Sequence, residues 1–165
     1  MADVWTEIAD GAAEESSLWA DCLSAEPDRT PVFSALGTAE HALGLETIYE
    51  GYLVHYGRSR LFAPPDDDTA LLLGDYLYAH GLVRIAAEND VHAVADLAAL
   101  ISLCSQLRAD GASGDGEVWA VTAALLGRGP LSGPRETAAL ADIAREAAGA
   151  DALERSLAVH AGRVS

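Results

Sequence analysis

The sequence predicts an all-α fold, a bundle of six or seven helices. Apolar residues recur at intervals of three or four almost throughout the chain, which is the spacing of one helix face. Alanine, leucine and glutamate, all strong helix formers, dominate the composition. No segment shows the alternation of apolar and polar residues that is typical of a half-buried strand. We therefore expect helices joined by short breaks.

The first half of the chain is predicted to begin with two helical regions. The first helix covers residues 4–23, and the proline-containing stretch 25–31 ends it. The second helical region covers residues 32–60, with an interruption near Gly37 or Gly44. The first region places Trp5, Ile8, Ala12 and Trp19 roughly on one face, as expected for a helix that packs on a core.

Prolines and aspartates separate the second helical region from the third helix. Pro64 and Pro65 end the preceding element, because proline cannot continue a helix. The aspartates at 66–68 favour the start of the next helix, since their side chains cap free amides and interact well with the helix dipole. This third helix is predicted over residues 69–87. It is apolar almost all round, which places it inside the domain or in an interface.

The second half of the chain is predicted to hold four more helices. Their predicted spans are residues 91–108, 117–126, 135–148 and 150–161. Residues 109–116, which are rich in glycine and small polar side chains, are expected to form the loosest loop. No linker is long enough to divide the chain, so we expect a single domain over residues 1–165.

Composition excludes several classes of function. The chain has 165 residues, is 50% hydrophobic and carries a formal net charge of -16, with a mean hydropathy of +0.14. This is enough apolar material for a core. The negative charge opposes binding to nucleic acid and to anionic lipid. All ten basic residues are arginine, so chemistry that needs lysine is excluded.

The sequence also predicts a cytoplasmic protein with no membrane insertion and no cofactor. No apolar run reaches the ~18 residues of a membrane helix, and the acidic N-terminus lacks the basic start of a signal peptide. Cys22 and Cys104 lie in apolar helical contexts and are expected to be buried thiols. No nucleophile elbow, phosphate loop or dinucleotide fingerprint occurs. The residue spacing that is typical of zinc or di-iron ligands does not occur around His41, His80, His92 and His160.

Four segments carry a resemblance to a known family. Residues 46–55 read ETIYEGYLVH, and residues 71–79 read LLLGDYLYA. Residues 94–106 end in Ser-Gln, and residues 117–125 read EVWAVTAAL. In this order and spacing, over roughly residues 39–126, they resemble trans-polyprenyl diphosphate synthases. They are similar, in turn, to the helix before the first aspartate-rich motif, the Gly-Asp-Tyr-Leu helix, the helix ending near a Gly-Glu or Gly-Gln step, and the Lys-Thr-Ala segment. The resemblance implies part of the isoprenoid synthase fold, with the Gly-Asp-Tyr-Leu helix at its centre.

The residues that perform the chemistry of that family are replaced in this chain. His55 is kept, but the three metal-binding aspartates fall on Tyr56, Gly57 and Arg60. Magnesium prefers carboxylate and phosphate oxygens, and it neutralises charge on the leaving diphosphate. A second aspartate-rich motif and the diphosphate-binding lysines are also missing from the sequence, which is much shorter than a synthase.

The resemblance therefore implies a non-catalytic regulatory or structural subunit. Within that family, the chain looks most like the small, non-catalytic subunit, component I, of heptaprenyl diphosphate synthase. The implied partner is a catalytic prenyl synthase subunit or a second copy of the same chain. Two alternatives remain open: a stand-alone helical module that binds an isoprenoid or another apolar ligand, and a purely structural homodimer.

Several side chains are candidates for ligand binding. His55, Arg58 and Arg60 are candidates for binding a diphosphate, because the planar fork of arginine binds this group well. A solvated helix C-terminus, where cations are favoured, explains these basic residues equally well. The Asp75 carboxylate is either functional or, more simply, buried and hydrogen-bonded to a neighbouring helix. The five tyrosines at 49, 52, 56, 76 and 78 either line a prenyl pocket or fill the core. The candidate ligand-binding residues are His55, Arg58, Arg60, Asp75, Tyr76 and Gln106.

Overall fold

The computed structural model describes residues 3–128 and 137–164, and within these ranges it is helical with no β-strand. The all-α prediction is confirmed. The described residues form eight α-helices rather than six or seven, because the first predicted helix is divided. The helices are α1 (Val4–Glu15), α2 (Ser17–Asp21), α3 (Ala42–Tyr56), α4 (Asp67–Ala87), α5 (Val91–Ala109), α6 (Asp115–Leu125), α7 (Thr137–Ala148) and α8 (Ala150–Val164).

Ser16 divides the first predicted helix into α1 and α2. Its backbone is extended, with φ -157° and ψ 138°, and its hydroxyl accepts a hydrogen bond from the amide of Leu18 at 3.1 Å. Serine offers the backbone this local alternative to a continuous helix. The prediction of one helix over residues 4–23 is therefore wrong in its continuity.

The second predicted helical region is also shorter than expected. Two 3-10 turns, Ser34–Leu36 and Ala39–His41, precede α3, and the break between them falls at Gly37 as predicted. Gly44 lies inside α3, so no interruption occurs there. The helix ends at Tyr56 rather than at residue 60. The chain then returns beside α2, where the amide of Ala63 donates to the carbonyl of Cys22 at 2.7 Å.

Glycines bring α3 and α4 into close antiparallel contact. Gly44 and Gly51 lie seven residues apart on α3 and face Gly81 and Gly74, which lie seven apart on α4. A Cβ atom on Gly51 would come within 2.9 Å of the Gly74 carbonyl oxygen. Gly74 also permits this close approach, since the ring of His55 occupies the space that a Cβ at this position would need.

The most deeply buried of this pair is α3, not α4. Every α3 residue from Gly44 to Leu53 is buried, including two glutamates. By contrast, Leu72 and Val83 on the outer face of α4 are 56% and 63% exposed. Of the two predicted locations, the inside of the domain is therefore wrong for this outer face, and an interface stays a prediction. The buried side of α4 carries the two glycines.

Two groups of buried side chains form the core. The larger lies between α3, α5, α6 and the C-terminal helices and contains the aromatic rings of Phe33, Tyr49, Tyr52 and Trp119. The smaller lies between α1, α2 and α4. Cys22 and Cys104 are both buried and free, as predicted.

The remaining boundaries agree with the predicted ones to within a few residues. The predicted start of the helix over 135–148 lies outside the described residues. Residues 115–116 belong to α6 and are buried, so the predicted loose loop is shorter than expected. No helix in the described part of the chain is long and apolar enough to cross a membrane.

Candidate functional site

His55 and Asp75 face one another across the contact between α3 and α4. Their Nε2 and Oδ1 atoms are 3.2 Å apart. The His55 side chain is 10% exposed, whereas that of Asp75 is 66% exposed. Burial lowers the pKa of His55, although the Asp75 carboxylate opposes this. The expectation that Asp75 is a buried carboxylate is therefore wrong, because its place on α4 is on the outer side of the pair.

Arg60 is buried and fully engaged in ion pairs. Its Nη2 lies 2.7 Å from Oε2 of Glu46, and its Nε lies 2.6 Å from Oε1 of Glu50. The guanidinium also lies 4.5 Å from the centre of the Trp5 ring, and its Nη1 donates to the Thr30 carbonyl at 2.8 Å. Arg60 is therefore not part of a basic surface, and its role as a candidate for binding an external anion is wrong.

Two glutamates share this one arginine. Burial lowers the pKa of Arg60, but the charges of Glu46 and Glu50 outweigh that effect and hold the pKa above its usual value. The excess negative charge is met by hydroxyl donors, because Ser34 donates to Glu46 and Ser59 donates to Glu50. Buried charges require such partners. This Arg60–glutamate cluster fastens the loop after α3 to the helix itself.

Sequence analysis missed the two glutamates, although a signal was present. Glu46 and Glu50 are four residues apart, so they share one face of a helix whose other side chains are mostly apolar. Two carboxylates on the buried face of one helix need a cation nearby. The next basic side chains along the chain are Arg58 and Arg60.

The other candidate residues lie apart from one another. Tyr76 stacks on the ring of Trp19, with 5.8 Å between centroids. Gln106 is exposed and donates to Asp110 at 2.8 Å. Of the six candidates, His55 and Asp75 are in direct contact, while Arg60, Tyr76 and Gln106 have separate surroundings.

The residues at the end of α3 offer few ligands. Arg58 is exposed, and its Nη2 donates to the carbonyl of Gly162 on α8. The Tyr56 hydroxyl donates to Ser105 at 3.3 Å, and Gly57 is the C-cap of α3. The described residues contain no group of three or more histidine, cysteine, aspartate or glutamate side chains placed to hold a metal ion.

Asp66 caps α4, as the sequence predicts. Its Oδ1 accepts a hydrogen bond from the Thr69 amide at 2.7 Å, and its own backbone is extended. Asp67 and Asp68 follow in the first turn of the helix, where negative charge is favourable. The capping interpretation of residues 66–68 is confirmed.

A second buried polar cluster, the His160 network, joins α3, α6 and α8. His160 Nδ1 lies 2.9 Å from the Tyr49 hydroxyl, and its Nε2 lies 2.9 Å from Oδ2 of Asp115. The same Oδ2 accepts from the Tyr52 hydroxyl and from Nη2 of Arg108, the latter at 2.6 Å. Both imidazole nitrogens thus have partners. The network can hold and share protons, and it fixes α8 against the two inner helices.

The charge of Asp115 is strongly stabilised. Burial raises the pKa of this carboxyl, but hydrogen bonds from His160 and Tyr52 and the charge of Arg108 outweigh it and hold the pKa well below its usual range. Asp115 also lies in the first turn of α6, where the helix dipole favours an anion. No local sequence signal could reveal this site, since Asp115 and His160 are 45 residues apart.

The tyrosines of α3 fill the core. The Tyr49 ring lies 4.9 Å from that of Trp119 and 5.1 Å from that of Phe33. The Tyr52 ring lies 5.5 Å from Trp119. Both tyrosines are fully buried. Their rings therefore pack on one another, as core side chains do, rather than around a channel.

Comparison with known proteins adds no relative to this picture. Neither models of protein families, nor curated proteins, nor solved structures give a match to this chain. What the chain can do therefore follows from its own side chains.

Proposed function

We propose that this chain is a non-catalytic regulatory or structural subunit related to the polyprenyl diphosphate synthases. It would act by helix packing with a catalytic partner or with a second copy of itself. The observation that carries this proposal is the replacement of the metal-binding residues at the three positions where the family holds metal. They are occupied by Tyr56, Gly57 and Arg60, and the arginine is enclosed by two glutamates.

The surroundings of these positions support a structural role. Magnesium in proteins needs several oxygen ligands in a defined arrangement. The Tyr56 hydroxyl instead donates a hydrogen bond to Ser105, and Gly57 has no side chain. Arg60 supplies a positive charge where the family has carboxylates, and that charge is already matched by Glu46 and Glu50. This end of α3 is thus built to be stable without a divalent cation.

The outer face of α4 supports a role in assembly. Leu71 and Leu72 are each 56% exposed, and Val83 is 63% exposed. Ala79 lies between them on the same face, and Asp75 is its one charged residue within residues 71–83. Large apolar side chains that line up on an exposed helix face favour contact with another chain.

Two experiments test the proposal. The purified chain, mixed with magnesium, an allylic diphosphate and isopentenyl diphosphate, should form no prenyl product, and turnover by the chain alone would refute a non-catalytic role. A tagged chain isolated from its native host should bring with it a full-length prenyl synthase or a second copy of the chain. Val83→Glu should prevent this, whereas Leu18→Glu, at an exposed leucine on α2, should not. A strictly monomeric chain with no such partner would contradict the assembly role.

The alternative of a tyrosine-lined isoprenoid pocket has less support. That pocket requires space beside the α3 tyrosines, but Tyr49 and Tyr52 are fully buried and in ring contact with Trp119. A ligand among these rings would have to displace core side chains.

A further inference from the structure

Two adjoining clefts run along the outer side of α8. One lies between the end of α8 and the loop after α3 and has a volume of about 490 Å³. The other lies nearer the start of α8 and has a volume of about 320 Å³. Val159 lines both, so the two clefts meet at this side chain. The larger cleft is shallow and open to solvent, and the smaller one is more enclosed.

Arginines are concentrated at these clefts, although the chain as a whole is strongly acidic. Arg58 and Arg163 line the larger cleft, and Arg155 lines the smaller one. They are three of the ten basic residues in a chain with 26 acidic ones. In such a chain, positive side chains gathered at one concave surface form a local site for an anion.

These arginines have donors to spare. No carboxylate of the described residues forms an ion pair with Arg58 or Arg155. Arg163 pairs with Asp28 through Nη2, while its buried Nε has no acceptor among the described residues. A guanidinium has five N–H donors in a planar fork, which matches a carboxylate or phosphate.

The smaller cleft is mostly apolar. Val32 is fixed beside α8 because its carbonyl accepts a hydrogen bond from the buried Ser156 hydroxyl at 2.8 Å. Apart from Thr30 and Arg155, the rest of the wall is short aliphatic surface that an alkyl chain could cover. It is formed by Pro31, Ala35, Ala152 and Val159.

We propose that these clefts form a binding site for an anionic amphiphile, a single apolar chain that ends in a phosphate or carboxylate. The head group binds Arg58 and Arg163, and the chain passes Val159 into the apolar cleft. The site includes Arg58, which lies between Gly57 and Arg60 in the loop after α3. It does not rest on the proposed function, because it uses none of the three positions where the family holds metal and no residue of the outer face of α4. Asp28 competes with the ligand for Arg163, which keeps the affinity modest.

Calorimetric titration of the full chain with octyl phosphate, below its micelle-forming range, tests the site. We expect saturable binding by one molecule. Inorganic phosphate, which lacks the chain, should bind at least roughly 100-fold more weakly, and octanol, which lacks the charge, should not bind. Equal binding of inorganic phosphate and octyl phosphate, or no binding of octyl phosphate, would overturn the proposal.

Substitutions distinguish this site from general charge effects. Arg58→Gln should weaken the binding of octyl phosphate about tenfold, because one charged hydrogen-bonding group is lost. Asp28→Asn should strengthen it, since the competing charge disappears while the Oδ1 atom that accepts from Thr30 is kept. Arg145→Gln on α7, outside both clefts, is the matched control and should leave binding unchanged. Equal effects of Arg58→Gln and Arg145→Gln, or unchanged affinity in both cleft variants, would show that the site does not exist.

Discussion

Gly51 on α3 lies directly against the backbone of Gly74 on α4. A methyl group on Gly51 would stand 2.9 Å from the Gly74 carbonyl oxygen and 3.2 Å from Cβ of Leu77. Neither neighbour is the flexible end of a side chain, so α3 and α4 would have to move apart. The contact between these two helices thus depends on the absence of a side chain at Gly51.

Gly51→Ala should therefore destabilise the fold. Alanine gains ~1 kcal/mol of helix propensity over glycine, but the overpacked contact should cost about 1–3 kcal/mol, so the net change is unfavourable. Gly162→Ala on α8 is the matched control, because a Cβ there meets open space, and it should stabilise by up to ~1 kcal/mol. Chemical denaturation of both variants measures the two changes. Equal signs would show that α3 and α4 are not this close.

Removing the charge of Arg60 should have a large effect on stability. Arg60→Met leaves Glu46 and Glu50 buried without a cation, so we expect the free energy of unfolding to fall by about 3–5 kcal/mol. Arg29→Met serves as a control, because the Arg29–Asp3 pair is half exposed and should contribute little to stability. A small loss in the Arg60 variant, measured by urea denaturation, would show that the two carboxyls are not buried as ions.

Asp115 should make stability depend on pH in the acid range. Burial raises its pKa, but hydrogen bonds from His160 and Tyr52 and nearby positive charge hold the folded-state pKa below the unfolded value. Its contribution is therefore complete above the unfolded pKa of ~3.9 and is lost as pH falls below it.

The variant Asp115→Asn tests this dependence. At neutral pH it should be less stable than the wild type by about 2–4 kcal/mol, and the difference should shrink as the pH falls below about 4. Asp10→Asn, at an exposed aspartate on α1, should leave the profile nearly unchanged. Unfolding curves across this range decide the matter, and a constant difference between wild type and Asp115→Asn would contradict the assignment.

Neither cysteine should react while the protein is folded. Burial raises the pKa of the Cys104 thiol to about 12 and also raises that of Cys22. The thiolate is the reactive form, so both thiols should resist Ellman's reagent at mildly alkaline pH. After unfolding in guanidinium chloride both should react at the rate of an ordinary thiol. Rapid reaction of the native protein would show that one of these helices opens readily.

Features set by neighbouring residues could be predicted from the sequence. The start of α4 follows from Asp66, whose side chain reaches an amide three residues ahead. The span of α5 follows from its apolar periodicity and the turn before it. The break at Ser16 was missed because serine is tolerated inside helices and also caps them.

Features set by distant residues could not be predicted. The spacing of Glu46 and Glu50 indicates that a buried cation is needed, but no sequence pattern shows that the loop after α3 turns back and supplies Arg60. The partners of His160 come from α3 and α6. The exposure of Asp75 depends on which side of α4 the glycines occupy. In a helix that is apolar almost all round, periodicity alone does not show which side is buried.

The bond between Tyr49 and His160 has a consequence for the order of folding. These partners are 111 residues apart, so bringing them together costs more chain entropy than any helix hairpin does. The loop-closure entropy of such long-range contacts is lost before the contacts stabilise the fold. We expect the α3–α4 hairpin to form from nearby residues before α8 packs against it. On this expectation, docking of α8 is a late step, and it removes water from the polar centre of the molecule.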